Sequence, residues 1–323
     1  MPDAMPPVLR VPGKLMLAGE YAVLRADGLA LSTAVGELVS ARVVDGPPGV
    51  ELTAFGHTWH LPGAREGLAG FAQLALDWLA AHGAEPRLRW QVEVAGGAGQ
   101  RKLGLGTSAA VTVAVLSAGL RAAGLPSSAG VVAAAAREVH GQAQVPAGSG
   151  YDVSSIAHGG VVAYWREARD GQGEGGPRVQ RLTWPSGLWA AALYSGEPAS
   201  TAAALRRVPA AAHLDRIGAA ARELLSAWPE GAPAVLAALR HCQHAFDGAR
   251  ADDPGLGSAG IAAVRATVEA AGCVARTSGA GGGDCLLAFA TDPERLQHAV
   301  DAWLAQGGLL AATLPGDLAA ETT

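Results

Sequence analysis

Four short glycine-bearing segments hold most of the residues in this chain that could do chemistry. One is Lys102-Leu103-Gly104-Leu105-Gly106-Thr107-Ser108-Ala109-Ala110, which runs into an apolar stretch. Glycines let backbone turn tightly and approach a ligand, and the first N–H groups of a helix point at an anion. The hydroxyls of Thr107 and Ser108 suit a phosphate or a metal ion; the alternative is a helix start capped by Thr or Ser. A GxGxxA dinucleotide pattern is formally matched, but residues 123–128, AGLPSS, lack the acidic residue expected about 20 positions on. No GxxxxGK[ST] occurs in the chain. Nucleotide phosphate binding by neither of those two folds is the expectation.

The other three segments are weaker alone. Arg276-Thr277-Ser278-Gly279-Ala280-Gly281-Gly282-Gly283-Asp284-Cys285 packs four glycines into five residues, a large entropic cost for a plain turn between strands. Pro12-Gly13-Lys14-Leu15-Met16-Leu17-Ala18-Gly19-Glu20-Tyr21 reads as a turn entering a strand. In the run from His140 to Asp152, Asp152 follows Gly148-Ser149-Gly150 and is placed to cap a short helix, and Glu138 just before it reads as a solvent-facing residue. The chain holds 22 Arg and only two Lys, Lys14 and Lys102, and both lie beside glycine motifs, where a compact ammonium has a use that a planar guanidinium does not.

The elements that must position these segments read as strands followed by helices in the first half. Val8–Val11 is a short apolar strand ended by Pro12-Gly13, and Leu38–Val44 and Leu88–Val94 alternate with the period of a half-buried strand. Helical stripes cover Leu68–His82, Thr107–Ala123 and Ser128–His140, then Leu214–Trp228, Ala232–Gly248 and Ser258–Ala271. Asp292-Pro293 looks like an N-cap with proline at the first helical position. The polar, glycine-rich stretch Arg166–Arg178 is a loop, and the domain boundary is expected shortly after it, near Gly187.

At 323 residues the chain has room for two domains with real cores. Half its residues are hydrophobic and 16% charged, which excludes broad disorder. A net charge of −5 leaves no footprint for nucleic acid or an anionic membrane. The first ten residues lack the pattern of a signal peptide, and the uncharged run Leu103–Leu120, with its glycines and hydroxyls, fits a buried helix better than a lipid-facing span. Three cysteines with no CxxC make a reducing cytoplasm the expected setting. His57 and His60 fall on opposite faces of a strand, and His241, Cys242 and His244 lack a second cluster, so no zinc site is expected.

Together and in this order, the segments resemble the GHMP kinase superfamily of small-molecule kinases: PGKLMLAGEY is similar to its first motif, GLGTSAA to its second and SGAGGGDC to its third. Within it, AGEYAVL, GTSAAVTVAV, Ala143-Gln144, GSGYDVSS and GGGDC most resemble the phosphomevalonate kinase family, whereas mevalonate kinases carry a HGxPSGxD-like run before the aspartate. Thr107 stands where serine is usual, and Arg276 where lysine is common.

The resemblance implies a mixed α/β and α+β protein with a ribosomal S5 domain 2-like N-terminal ATP-binding domain, 1–187, and a ferredoxin-like C-terminal domain, 188–323. ATP and the acceptor would meet in the cleft between them. It implies that Gly104, Leu105, Gly106, Thr107, Ser108 and Ala109 wrap the ATP phosphates, that Ser108 and Glu138 hold Mg²⁺, and that Lys14 and Asp152 are catalytic. Acceptor binding would involve Lys14, Tyr21, Ser149, Gly150, Arg276, Ser278, Gly279 and Ala280, with Arg101, Lys102, Arg206 and Arg207 as weaker cations. The implied partners are ATP and phosphomevalonate, with no nucleic acid or membrane, in a monomer or homodimer. The rival expectations are a hydroxyl kinase acting on mevalonate or a sugar, an ATP-dependent decarboxylase, and a catalytically silent ligand sensor.

Overall fold

A computed structural model describes residues 8–84, 88–95, 102–143, 148–166, 177–199 and 201–314. The chain forms two compact units. The first takes the chain up to Lys14 together with Ala34–Gly159, and the second takes Leu15–Thr33 and Gly160–Asp317. Strands β1 (Leu9–Ala18) and β2 (Leu29–Val44) therefore each supply residues to both.

The first unit adds β3 (Gly49–Ala54), β4 (His57–Leu61), α1 (Gly67–Ala81), β5 (Arg89–Val94), α2 (Thr107–Ala122), α3 (Ala129–Ala143) and α4 (Tyr151–His158). The later part of β2 pairs antiparallel with β5, with Val39 opposite Val94; β5 runs parallel to β3, and β3 antiparallel to β4. Helices α1, α2 and α3 pack on one another, and α2 also on β5. Helix α2 is buried from Thr107 to Leu120 but for Ser108, as its run without charge before Arg121 requires. Its Gly119 is where α1 comes closest: a Cβ there would lie 2.3 Å from a methyl of the buried Leu79.

In the second unit the early part of β2 pairs antiparallel with β6 (Val161–Trp165), and β6 with β7 (Arg178–Leu182), Trp165 opposite Arg178. The polar stretch after Trp165 thus joins a hairpin, and residues 167–176 of it lie outside the described residues. Then follow β8 (Trp189–Tyr194), α5 (Thr201–Leu205), α6 (Ala211–Ala227), α7 (Ala232–Asp252), α8 (Ala259–Ala270), β9 (Val274–Thr277), β10 (Cys285–Ala290), α9 (Pro293–Ala305) and β11 (Leu309–Leu314). Strands β11-β8-β10-β9 form an antiparallel sheet in that order, the βαββαβ arrangement of ferredoxin-like folds. Ile261, Val264 and Val268 of α8 and Ala299, Val300 and Trp303 of α9 seal one core with Leu193 and Leu286 of the sheet. Each such Leu, Ile or Val contributes roughly 1.5–3 kcal/mol by leaving water. Asp292 caps α9 by accepting from the Glu294 N–H at 3.0 Å, with Pro293 at the first helical position.

Two elements exceed what periodicity indicates. Strand β1 does not stop at Pro12-Gly13. It continues to Ala18 and, among the described residues, pairs only with β2, so the missing Pro12 N–H costs it no central ladder bond. Strand β2 begins nine residues before Leu38, because Leu29–Val35 is buried at every position and shows no alternation. Among the described residues no helix is long and apolar enough to cross a membrane.

Candidate active site

In the first unit, β1 brings its Gly13-Lys14 step against the loop that starts α2. The Lys14 N–H donates to the Leu105 carbonyl at 2.8 Å, and a Cβ on Gly13 would stand 2.9 Å from that same oxygen. Gly104 and Gly106 hold φ of +75° and +84°, which L side chains resist, and Gly106 is the residue preceding the first turn of α2. Thr107 and Ala109 are buried, while Ser108 keeps part of its surface. The sequence therefore builds a loop with the α2 N–H groups at one end and the Lys14 side chain along its flank. A Cβ on Gly106 would sit 3.1 Å from Lys14 Cγ and Cε. Gly106→Ala is expected to cost about 1–2 kcal/mol in backbone strain and to displace Lys14. Steady-state kinetics and urea unfolding check this: kcat falls while the fold persists, and an unchanged kcat would detach Lys14 from the chemistry.

The Lys14 ammonium lies 5.6 Å from the centre of the Tyr151 ring, the first residue of α4. Gly150, with φ +77°, precedes that helix, and Ser149 Oγ accepts the Tyr151 N–H at 3.4 Å. One turn of chain thus sets Tyr151 beside Lys14, with Ser149 and Gly150 just before it and Asp152 just after. Asp152 Oδ1 accepts from the Val153 N–H at 2.9 Å, and Oδ2 faces His140 Nδ1 at 3.9 Å. The other ring nitrogen of His140, Nε2, is 3.2 Å from Ser108 Oγ.

Glu138 is the exception. It was expected beside Ser108, yet its carboxylate accepts from Trp78 Nε1 at 2.9 Å on the exposed side of α3. Residues two apart on a helix point about 200° away from each other, so with His140 turned inward Glu138 must face out. Sequence reading missed His140, although it continues the buried stripe Val132, Ala133, Ala136, Val139.

The second unit holds most of the remaining candidates. Met16 N–H donates to Ser278 Oγ at 3.0 Å, and the Tyr21 hydroxyl to the Ala280 carbonyl at 3.0 Å. Burial pushes the Tyr21 phenol up to about 12, so it stays a protonated donor. Gly279 adopts φ +77°, and Ser278, Gly279 and Ala280 are half-buried. Arg276 requires a correction. It is wholly buried, its guanidinium paired with Glu20 and donating to the Leu17 carbonyl at 3.0 Å and to Gln243 Oε1 at 3.3 Å. Gln243 Oε1 also accepts the Thr277 N–H at 2.8 Å. Arg276 therefore ties the segment from Leu17 to Glu20 to the root of the glycine loop and is no ligand for an acceptor. Burial drives the Glu20 carboxyl above its usual range, against the pull of Arg276. Arg207 pairs with Asp253 at 3.4 Å, Arg206 and Lys102 are exposed, and Arg101 lies outside the described residues.

Two oxygen donors flank His140. Ser108 Oγ and the Asp152 carboxylate are hard oxygen donors on the two sides of one imidazole, and Asp152 keeps about a fifth of its side chain exposed. Among the described residues no group of three or more His, Cys, Asp or Glu could enclose a metal. Standing on opposite edges of the ring, Ser108 and Asp152 cannot both ligate one cation, so a cation at Ser108 would take its remaining ligands from water and phosphate, which is the habit of Mg²⁺.

Comparison with known proteins adds the following. The family model for the GHMP kinases N terminal domain matches residues 75–160, and that for the GHMP kinases C terminal region matches 244–309. A phosphomevalonate kinase of Streptomyces sp. (strain CL190) is 30% identical over 94% of this chain and 95% of its own. The Streptococcus pneumoniae phosphomevalonate kinase in complex with phosphomevalonate and AMPPNP superposes with a TM-score of 0.82 at 20% identity, covering 95% of this chain and 98% of that one. The Methanococcus jannaschii mevalonate kinase gives 0.75 at 14% identity, covering 95% and 97%.

Proposed function

Since the chain belongs to the GHMP kinases, we propose that it is an ATP-dependent phosphomevalonate kinase, transferring the γ-phosphoryl group of ATP to 5-phosphomevalonate to give 5-diphosphomevalonate and ADP. The observation that carries the choice of acceptor is the 30% identity to the Streptomyces enzyme over nearly all of both chains. The same reading retains a division into an N-terminal ATP-binding domain, 1–187, and a C-terminal domain, 188–323, with the two family models falling on either side. A cytoplasmic setting agrees with the absence, among the described residues, of a membrane-crossing helix.

In this reading Gly104–Ala109 receive the ATP phosphates on the α2 N–H groups, and Lys14 neutralises charge at the phosphoryl in transit. Ser108 would offer its hydroxyl oxygen to Mg²⁺, whose chemistry would be to screen phosphate charge. Ser149 and Gly150, next to Tyr151 at the start of α4, would supply small and hydroxyl-bearing surface for the acceptor. A phosphate monoester has its second pKa near about 6 and is largely dianionic at neutral pH. It needs no base, so this reading gives Asp152 no proton to accept.

Phosphorus NMR of the reaction with ATP and 5-phosphomevalonate tests this reading. The acceptor's monoester signal is expected to give way to the coupled pair of a diphosphate ester as ADP accumulates. A monoester signal that persists while ATP is consumed would overturn it.

A further inference from the structure

We propose that the cavity beside the last turns of α7 is a binding site for a small phosphate oxyanion, held by the guanidinium groups of Arg250 and Arg265. The cavity measures about 320 Å³ and is lined by Asp247, Arg250 and Ala251 of α7, by Pro254, and by Arg265 of α8. All of these residues belong to the second unit, and the proposal does not depend on the kinase reading.

Arg250 carries the argument. Its side chain is only 23% exposed, yet among the described residues its fork of N–H donors makes one long hydrogen bond, from Nη1 to Asp247 Oδ1 at 3.5 Å. The carboxylate is already spent on others. Oδ1 accepts from Gln243 Nε2 at 2.9 Å, and Arg265 Nη1 reaches both oxygens of Asp247 at 2.8 Å. Arg265 thus answers the charge of Asp247, and the charge of Arg250 is left without a close acceptor. The second carboxylate near Arg265, Glu269, meets its Nε at 2.6 Å, is half-exposed and so is screened by water, and is not part of the cavity lining.

Donors this far buried are normally matched, and a guanidinium fork fits the paired oxygens of an oxyanion. Two such forks on one cavity suit a dianion, which selects phosphate over a carboxylate. The backbone prepares the site as well. A Cβ on Gly257 would lie 2.8, 3.0 and 3.1 Å from Nε, Nη2 and Cζ of Arg250, so the guanidinium lies flat over that glycine. Gly257 is itself in extended conformation, φ −132°, so a substitution there changes the room for Arg250 and not the backbone.

Arginine side-chain nitrogen–proton NMR of the full-length protein tests the site, with inorganic phosphate and glycerol 3-phosphate as probes at about pH 7, where a phosphate monoester is largely dianionic. The Arg250 Nε–H resonance is expected to shift saturably, with a Kd on the order of 1 mM. Arg250→Gln and Gly257→Ala, read at the Arg265 Nε–H resonance, are each expected to weaken binding by about 10-fold, the worth of one charge-assisted hydrogen bond. Gly257→Ala keeps every charge, so its loss separates the placement of Arg250 from general attraction of anions. Tighter binding of glycerol 3-phosphate than of inorganic phosphate assigns the site to a phosphate ester, and equal or weaker binding assigns it to the free ion. No saturable shift of Arg250 with either probe, or an affinity unaltered by the two substitutions, overturns the proposal and leaves the cluster a solvated ion-pair network.

Discussion

Lys14→Ala is expected to lower kcat by on the order of 10²-fold or more while leaving the affinity for AMPPNP within a few-fold of the wild type. The magnitude follows from where Lys14 sits. Its backbone is pinned to Leu105, its stem lies over Gly106, and its ammonium stands 5.6 Å from the centre of the Tyr151 ring. A charge preorganised in this way acts on the charge that develops in transfer, and loop N–H groups alone still bind the nucleotide. Asp152→Ala is expected to lose a similar factor by removing the carboxylate proposed at the reacting centre, whereas Thr107→Ser, which keeps a buried hydroxyl, is expected to be nearly silent. Steady-state rates and calorimetry on folded variants check these outcomes. A Lys14→Ala protein with near-wild-type kcat would remove Lys14 from the reacting centre.

Arg276→Met is expected to destabilise the fold by about 3–5 kcal/mol, because it strands the Glu20 carboxylate in a wholly buried site. Glu20 Oε1 already has no hydrogen-bond partner, so the guanidinium is the main group compensating that charge. Replacing both partners, Glu20→Leu with Arg276→Met, is expected to restore much of the loss, since a well-packed apolar pair needs no compensation. The pH dependence has a definite sign. Burial raises the folded-state pKa of Glu20 above its unfolded value, so the folded form binds the proton more readily. The stability linked to that proton is fully present below the unfolded pKa and is lost as pH rises through the folded one. The single variant therefore unfolds at lower urea concentration at about pH 8 than at about pH 5. A loss below about 1 kcal/mol would show that the pair is not what holds the root of the glycine loop.

The helices were largely legible because each has an apolar stripe of the right period, and Asp292-Pro293 announced α9 to the residue. The buried half of β2 was not, since a strand covered on both faces loses the alternation that marks strands. At the site, glycine and hydroxyl spacing pointed to the α2 loop, and its likeness to known motifs pointed to Lys14 and Asp152. What the sequence did not display was direction. Glu138 and His140 both lie at the end of α3, and only the rotation between them, set by burial of Val139 and His140 against Phe71, decides which one meets Ser108. Arg276 misled for a related reason. An arginine beside a glycine loop reads as a ligand for phosphate until its fork is seen to be filled by Glu20, Leu17 and Gln243.

The central claim is that the acceptor already carries a phosphate, and the most direct measurement is kcat/KM for 5-phosphomevalonate and for mevalonate with saturating ATP and Mg²⁺. A hydroxyl acceptor gains about 10²–10⁴-fold from a positioned base, a role this reading does not give to Asp152. The phosphorylated acceptor is therefore predicted to be preferred by on the order of 10²-fold or more. Equal efficiency on the two, or a preference for mevalonate, would contradict the account and make the protein a hydroxyl kinase.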